Sequence, residues 1–172
     1  RRTLEYREKT KGNKQMNAAT QKVMFSSKKQ DWATPQGFFD KLNWQFGPFN
    51  LDPCATPESA KCSKFFTEDD DGLTMDWGGH TVFVNPPYGR TVGNWVKKAF
   101  EESKKDNTTV VMLIAARPDT QYWHNYVMNA DEVYFIKGRL KFGEASTPAP
   151  FPSAVVVFKN GNRQQIFGAM NR

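Results

Sequence analysis

The chain is poor in the residues that staple or metallate small proteins. Its only cysteines are Cys54 and Cys62, too few for a disulfide framework, and with His80 and His124 as the only histidines no Cys/His spacing suits zinc. The expected metal complement is therefore none. No run of about 18 apolar residues and no signal-peptide core occurs, so the expectation is a soluble, cytoplasmic protein without a membrane partner. A Gly-x-Gly-x-x-Gly fingerprint is missing too, which removes the usual argument for a dinucleotide site. No internal repeat is visible.

What is present suits one α/β domain. The 172 residues are 38% hydrophobic and 14% aromatic, and a chain of this length buries about 70% of its unfolded surface. The net charge of +6 is uneven: residues 1–30 carry nine Lys/Arg against Glu5 and Glu8, leaving 15 basic and 16 acidic residues in the rest. Residues 1–30 thus read as a basic, flexible arm. Such an arm suits a polyanion, because each neutralised phosphate releases counterions. An ordinary solvated tail has the same composition, and Met16 offers an alternative native start.

The folded part opens at Asp31-Trp32-Ala33-Thr34-Pro35. Thr34 as N-cap, Pro35 at the first helical position and Phe38, Phe39, Leu42 and Phe46 at helical spacing predict a helix closed by Gly47-Pro48. Its N–H groups are placed to receive a carboxylate. Phe49-Asn50-Leu51-Asp52 reads as a short strand, ended by Pro53 and the small residues Cys54, Ala55 and Thr56. Lys64-Phe65-Phe66 is a second short strand, and Glu68-Asp69-Asp70-Asp71-Gly72 an acidic turn whose spacing departs from a calcium-binding loop. Beyond Gly89-Arg90, a helix turns Trp95, Val96, Ala99 and Phe100 inward. The apolar run from Thr109 to Ala115 marks a strand covered on both sides. After it, Thr120 is placed to cap a helix holding Tyr122, Trp123, Tyr126 and Val127. Glu132 to Ile136 is a strand, 138–143 a hairpin-like piece, 144–153 a proline-rich loop around Phe151, and Ala154 to Phe158 the last strong strand.

Between these elements lies Thr81-Val82-Phe83-Val84-Asn85-Pro86-Pro87-Tyr88. The apolar run is a buried strand, and two prolines, which lack ladder N–H groups, force it to stop at Asn85. Proline also holds its predecessor extended. The Asn85 side-chain carbonyl and the Pro86 main-chain carbonyl then become two acceptors at fixed spacing, with Tyr88 close behind: a loop suited to a planar amino group. Alternating strands and helices predict a three-layer sheet with ligands at the strand carboxyl ends. Asp52, Asn85 and Arg117 all fall there.

Taken together, Trp32-Ala33-Thr34-Pro35, Leu51-Asp52-Pro53-Cys54-Ala55, Asn85-Pro86-Pro87-Tyr88, Ala116-Arg117-Pro118-Asp119-Thr120 and Gly138-Arg139-Leu140-Lys141-Phe142 resemble the phage-type DNA N6-adenine methyltransferase (Dam) family, over about residues 31–159. The resemblance implies a Rossmann-like S-adenosylmethionine-dependent fold with a mostly parallel mixed sheet. It implies one domain over 31–172, with no large separate target-recognition domain. Trp32, Thr34, Pro35, Asp52, Pro53, Cys54 and Ala55 become candidate S-adenosylmethionine ligands, although the glycine many relatives have after the acidic residue is missing. Asp71 is the candidate ribose ligand, with Asp70 or Asp76 as alternatives. Asn85, Pro86, Pro87 and Tyr88 form the candidate catalytic loop.

The partner implied is double-stranded DNA, the chain itself being a monomer or weak dimer in the cytoplasm of a bacterial host. The target adenine is flipped out of the duplex onto Tyr88, with Phe142 or Phe151 as the opposite wall. Arg90, Arg117, Arg139 and Lys141 are candidate DNA contacts. The same loop also serves enzymes that methylate guanine N2 in RNA or glutamine in proteins, and a non-catalytic nucleic-acid binder is the alternative outside catalysis.

Overall fold

Alternating apolar strands and amphipathic helices resolve, in a computed structural model, into one seven-stranded sheet. The structure describes residues 32–143, 145–160 and 165–172; the basic arm expected over 1–30 lies outside the described residues. In chain order the elements are α1 (Gln36–Phe46), β1 (Leu51–Asp52), β2 (Lys64–Phe65), β3 (Thr81–Val84), α2 (Val92–Glu102), β4 (Thr109–Ala115), α3 (Gln121–Asn125), a 3-10 turn (Val127–Asn129), β5 (Glu132–Lys137), β6 (Ser153–Lys159) and β7 (Ile166–Asn171).

The strands lie in the order β2-β1-β3-β4-β6-β5-β7. Only β6 runs against its neighbours, pairing antiparallel with β4 and β5, while the other pairs are parallel. This is the mostly parallel mixed sheet expected. Because side chains alternate along a strand, Val82, Val84, Val110, Met112 and Ile114 meet Trp95, Val96 and Ala99 of α2 and Trp123 of α3 on one face. Phe83, Val111, Leu113, Val155 and Val157 meet Phe38, Phe39 and Leu42 of α1 on the other. Helices on both faces explain why β4 and β6 are apolar almost without interruption.

Helix α2 carries its inward stripe one turn further than its apolar residues do. Glu102 is buried, and it accepts hydrogen bonds from the Trp77 main-chain N–H, Lys98 and Lys105 at 2.9, 2.7 and 2.7 Å. Burial pushes its carboxyl up, but these three donors outweigh it and the net shift is downward.

Several expectations are corrected. Pro35, not Thr34, is the N-cap of α1; its carbonyl accepts from the N–H groups of Phe38 and Phe39, both at 3.0 Å, so the chain turns one residue later than the Thr-Pro pair suggests. Thr120 is the N-cap of α3, its carbonyl accepting from the His124 N–H at 3.3 Å, but its hydroxyl donates to the Arg117 carbonyl at 2.7 Å instead of to the first turn of the helix. That helix ends at Asn125, and Val127 belongs to a separate 3-10 turn. Residues 138–143 form no ladder; they are an extended crossing with Leu140 and Phe142 buried and Arg139 and Lys141 exposed. Finally, beyond Ala154–Phe158 a further, largely exposed strand β7, not foreseen, pairs parallel with β5.

Candidate active site

Strands β1, β3 and β4 point the same way, and the chain leaves β1 for β2 on one side before crossing to β3 on the other. The crevice at such a switch point lies outside the strand carboxyl ends. A cavity of about 760 Å³ opens there, within the range of about 300–1,000 Å³ usual for small-molecule sites. Its wall includes Trp32, Thr34, Asp52, Pro53, Cys54, Ala55, Asp71, Asn85, Pro86, Pro87 and Tyr88.

Asn85 is held in one orientation. Its Nδ2 donates to the Trp32 carbonyl at 2.8 Å, and since a carbonyl only accepts, the amide cannot be turned over without opposing two oxygens. Its Oδ1 is thereby left buried with no hydrogen-bond partner among the described residues. An orphaned buried acceptor costs about 1–3 kcal/mol until a donor arrives. Trp32 itself reaches the loop from the segment preceding α1, where Gly143 N–H donates to the Ala33 carbonyl at 2.7 Å. Thr34 is buried with its hydroxyl equally unpartnered.

The Tyr88 ring packs in an aromatic box. It stacks on Phe151 with centroids 4.7 Å apart and lies 5.0 Å from Trp32 and 5.7 Å from Phe142. Its hydroxyl is buried without a partner among the described residues, and burial raises its pKa far above the ordinary value, so the phenol stays protonated.

Asp52, at the end of β1, does two jobs. Its carboxylate accepts from the N–H groups of Cys54 at 3.3 Å and Lys61 at 3.1 Å, which shapes the loop between them. Its remaining lone pairs are available toward the cavity it lines. Burial pushes its pKa up to about 6, against the opposing pull of those N–H groups and the Lys61 charge.

The acidic turn closes the other wall. Asp71 lines the cavity, whereas the alternatives do not: Asp70 is held by the Thr67 N–H and hydroxyl, both at 2.8 Å, and Asp76 by Lys105 at 2.7 Å. Glu68 and Asp69 of the same acidic turn, not among the three singled out, also line it. A Cβ at Gly72 would collide with the Pro53 carbonyl, and Trp77 Nε1 donates to the Gly72 carbonyl at 2.9 Å. Gly72 thus lets the acidic turn pack directly against the loop that follows Asp52. The signal was Gly72 itself, directly after four acidic residues.

Not every expected site residue joins this wall. Pro35 is the N-cap of α1, and neither it nor any residue of α1 lines the cavity; of the Thr34-Pro35 pair only Thr34 does. Arg90, Arg117, Arg139 and Lys141 lie outside the cavity and are exposed. Among the described residues no group of three or more His, Cys, Asp or Glu could hold a metal, and no helix is long and apolar enough to cross a membrane.

Three comparisons bear on this geometry. The family model described as DNA N-6-adenine-methyltransferase (Dam) matches residues 21–167. A protein named DNA N-6-adenine-methyltransferase from Haemophilus phage HP1 is 34% identical over 144 residues, spanning 78% of this chain and 83% of its own. One of the same name from Escherichia phage T1 is 33% identical over 110 residues, spanning 63% of this chain and 45% of its own.

Proposed function

Since this chain belongs to the DNA N-6-adenine-methyltransferase (Dam) family, we propose that it methylates N6 of adenine in double-stranded DNA, using S-adenosylmethionine as donor and Asn85-Pro86-Pro87-Tyr88 as the loop that receives the amine. The observation that carries this reading is the buried, unpartnered Oδ1 of Asn85, fixed by the bond from Nδ2 to Trp32. An exocyclic amine has the N–H that this acceptor lacks.

The chain's residues fit the donor. Thr34 and Asp52 would hold its amino-acid end, Pro53, Cys54 and Ala55 its middle, and Asp71 with Glu68 or Asp69 its ribose hydroxyls. When bound, S-adenosylmethionine supplies an electrophilic methyl. Everything else is done by the protein. Adenine N6 is a weak nucleophile because its lone pair is delocalised into the ring. Accepting its two N–H groups, at Asn85 Oδ1 and the Pro86 carbonyl, localises that pair and stabilises the positive charge developing on nitrogen. Positioning amine against methyl removes much of the remaining barrier.

An adenine within a duplex cannot reach this loop, so the base is flipped out and stacks on Tyr88. The present ring spacing of 4.7 Å between Tyr88 and Phe151 is short of the about 7 Å that two contacts of about 3.5 Å require. Base entry therefore displaces Phe151 and its loop. Loops around this cleft take part in sequence reading. Incubation with labelled S-adenosylmethionine and DNA lacking adenine methylation puts label on N6-methyladenine; label on cytosine, or none, overturns the reading.

A further inference from the structure

The carboxyl rim of the sheet is electrostatically polarised. At the β2 side stand the cavity-lining carboxylates Glu68, Asp69 and Asp71. At the opposite side, β5 and β7 run parallel to the active-site strands, so Lys137 and Asn171 end on the same rim as Asp52 and Asn85. Segments 137–143 and 170–172 contain no Asp or Glu but carry Lys137, Arg139, Lys141 and Arg172, all exposed.

Part of the basic surface elsewhere is neutralised. Lys97, Lys98, Lys105 and Lys159 each pair with a carboxylate. None of the four rim cations has one within ion-pair distance among the described residues. A surface depression of about 320 Å³ lies between Lys137, Gly138, Asn171 and Arg172. Gly138 turns there with φ +83, and Arg172 Nη1 donates to the Arg139 carbonyl at 3.2 Å, leaving its other guanidinium N–H groups to face a ligand. The intervening residues Leu140 and Phe142 are buried, and Phe142 touches Tyr88. The cationic crossing is thus built onto the wall of the aromatic box.

We propose that Lys137 and Arg172 form a phosphate seat for duplex DNA, a second anchor beyond the cleft, continued by Arg139 and Lys141. This rests on the DNA-methyltransferase reading. From β3 to β7 is four strand spacings, about 19 Å at about 4.8 Å each. At about 3.4 Å per nucleotide along one strand, the seat takes a phosphate about five to six nucleotides from the flipped base. It contributes register and affinity but reads no base.

The test measures binding of the full chain to a fluorescent DNA duplex across a salt series, for the wild type, Lys137→Gln/Arg172→Gln and Lys97→Gln, with circular dichroism confirming that each is folded. The slope of log affinity against log salt falls by about 0.9 in the double variant, the change for one lost phosphate contact, and is unchanged in Lys97→Gln. An unchanged slope in the double variant, or an equal fall in Lys97→Gln, overturns the seat. So does competition by duplex RNA equal to that by DNA, which would make the surface a general polyanion or RNA site. A wild type that fails to methylate DNA overturns the underlying reading; methylation by the wild type with an unchanged variant slope overturns the seat alone.

Discussion

At the residue scale, the central fact is that one main-chain carbonyl decides what Asn85 can offer. Because Trp32 accepts from Nδ2 at 2.8 Å, Asp is not an equivalent of Asn here. In Asn85→Asp an oxygen would face that carbonyl, and repulsion between two acceptors raises the carboxyl pKa. Protonated, the variant restores both the bond to Trp32 and the outward acceptor; ionised, it loses the first. Its activity is therefore confined to the acid side of the wild-type pH–rate profile and declines as pH rises, and a neutral-pH profile like the wild type's would show that Trp32 has no such role. Asp52 gives the converse dependence. Its pKa is raised to about 6, so it becomes a counter-ion for an ammonium only as pH rises through that value. Donor affinity measured by calorimetry increases from below to above about pH 6, and Asp52→Asn abolishes the increase. The sign for stability is opposite: a raised carboxyl pKa favours the fold below the ordinary value of 3.8 and loses that contribution as pH rises through about 6.

At the scale of elements, the readable parts of the sequence were those whose environment is symmetrical or whose stop is chemical. The strands β3, β4 and β6 are covered on both faces and so are apolar throughout, and Pro86-Pro87 ends β3 unmistakably. Strand β7 escaped notice because it is an edge strand interrupted by Gly168, where a Cβ would come within 2.7 Å of the Tyr134 ring. The acidic turn was legible as charge but not as shape, since its position depends on Gly72 meeting Pro53 and on Trp77 bonding Gly72, contacts that no sequence pattern announces. Burial of Glu102 was equally hidden, because a charged residue on an inward stripe declares nothing until its partners are seen. Glu102→Gln weakens the links from Lys98, Lys105 and Trp77 to α2 and lowers stability by about 1–3 kcal/mol, read from the denaturant midpoint. Since the folded pKa of Glu102 lies below its ordinary 4.5, its contribution is complete above that value and lost as pH falls through the folded one. The variant therefore has a flatter acid limb of stability, and an acid limb as steep as the wild type's would contradict this assignment.

At the scale of the whole molecule, one sheet edge gathers carboxylates at one end, the Asn85 loop at the centre and unpaired cations at the other. Topology alone achieves this: β5 and β7 return parallel to β1 and β3, although β6 runs against them. Opposite charges thus stand on either side of the Asn85 acceptor, carboxylates within the cavity and cations beyond it. The measurement that tests this account most directly is the single-turnover rate of N6-methyladenine formation by Asn85→Ala, with donor affinity measured on the same sample. Loss of the fixed acceptor lowers the rate by about 10²–10³ while donor affinity stays at the wild-type value. Methylation at the wild-type rate by a variant with no side-chain oxygen at position 85 would contradict the account.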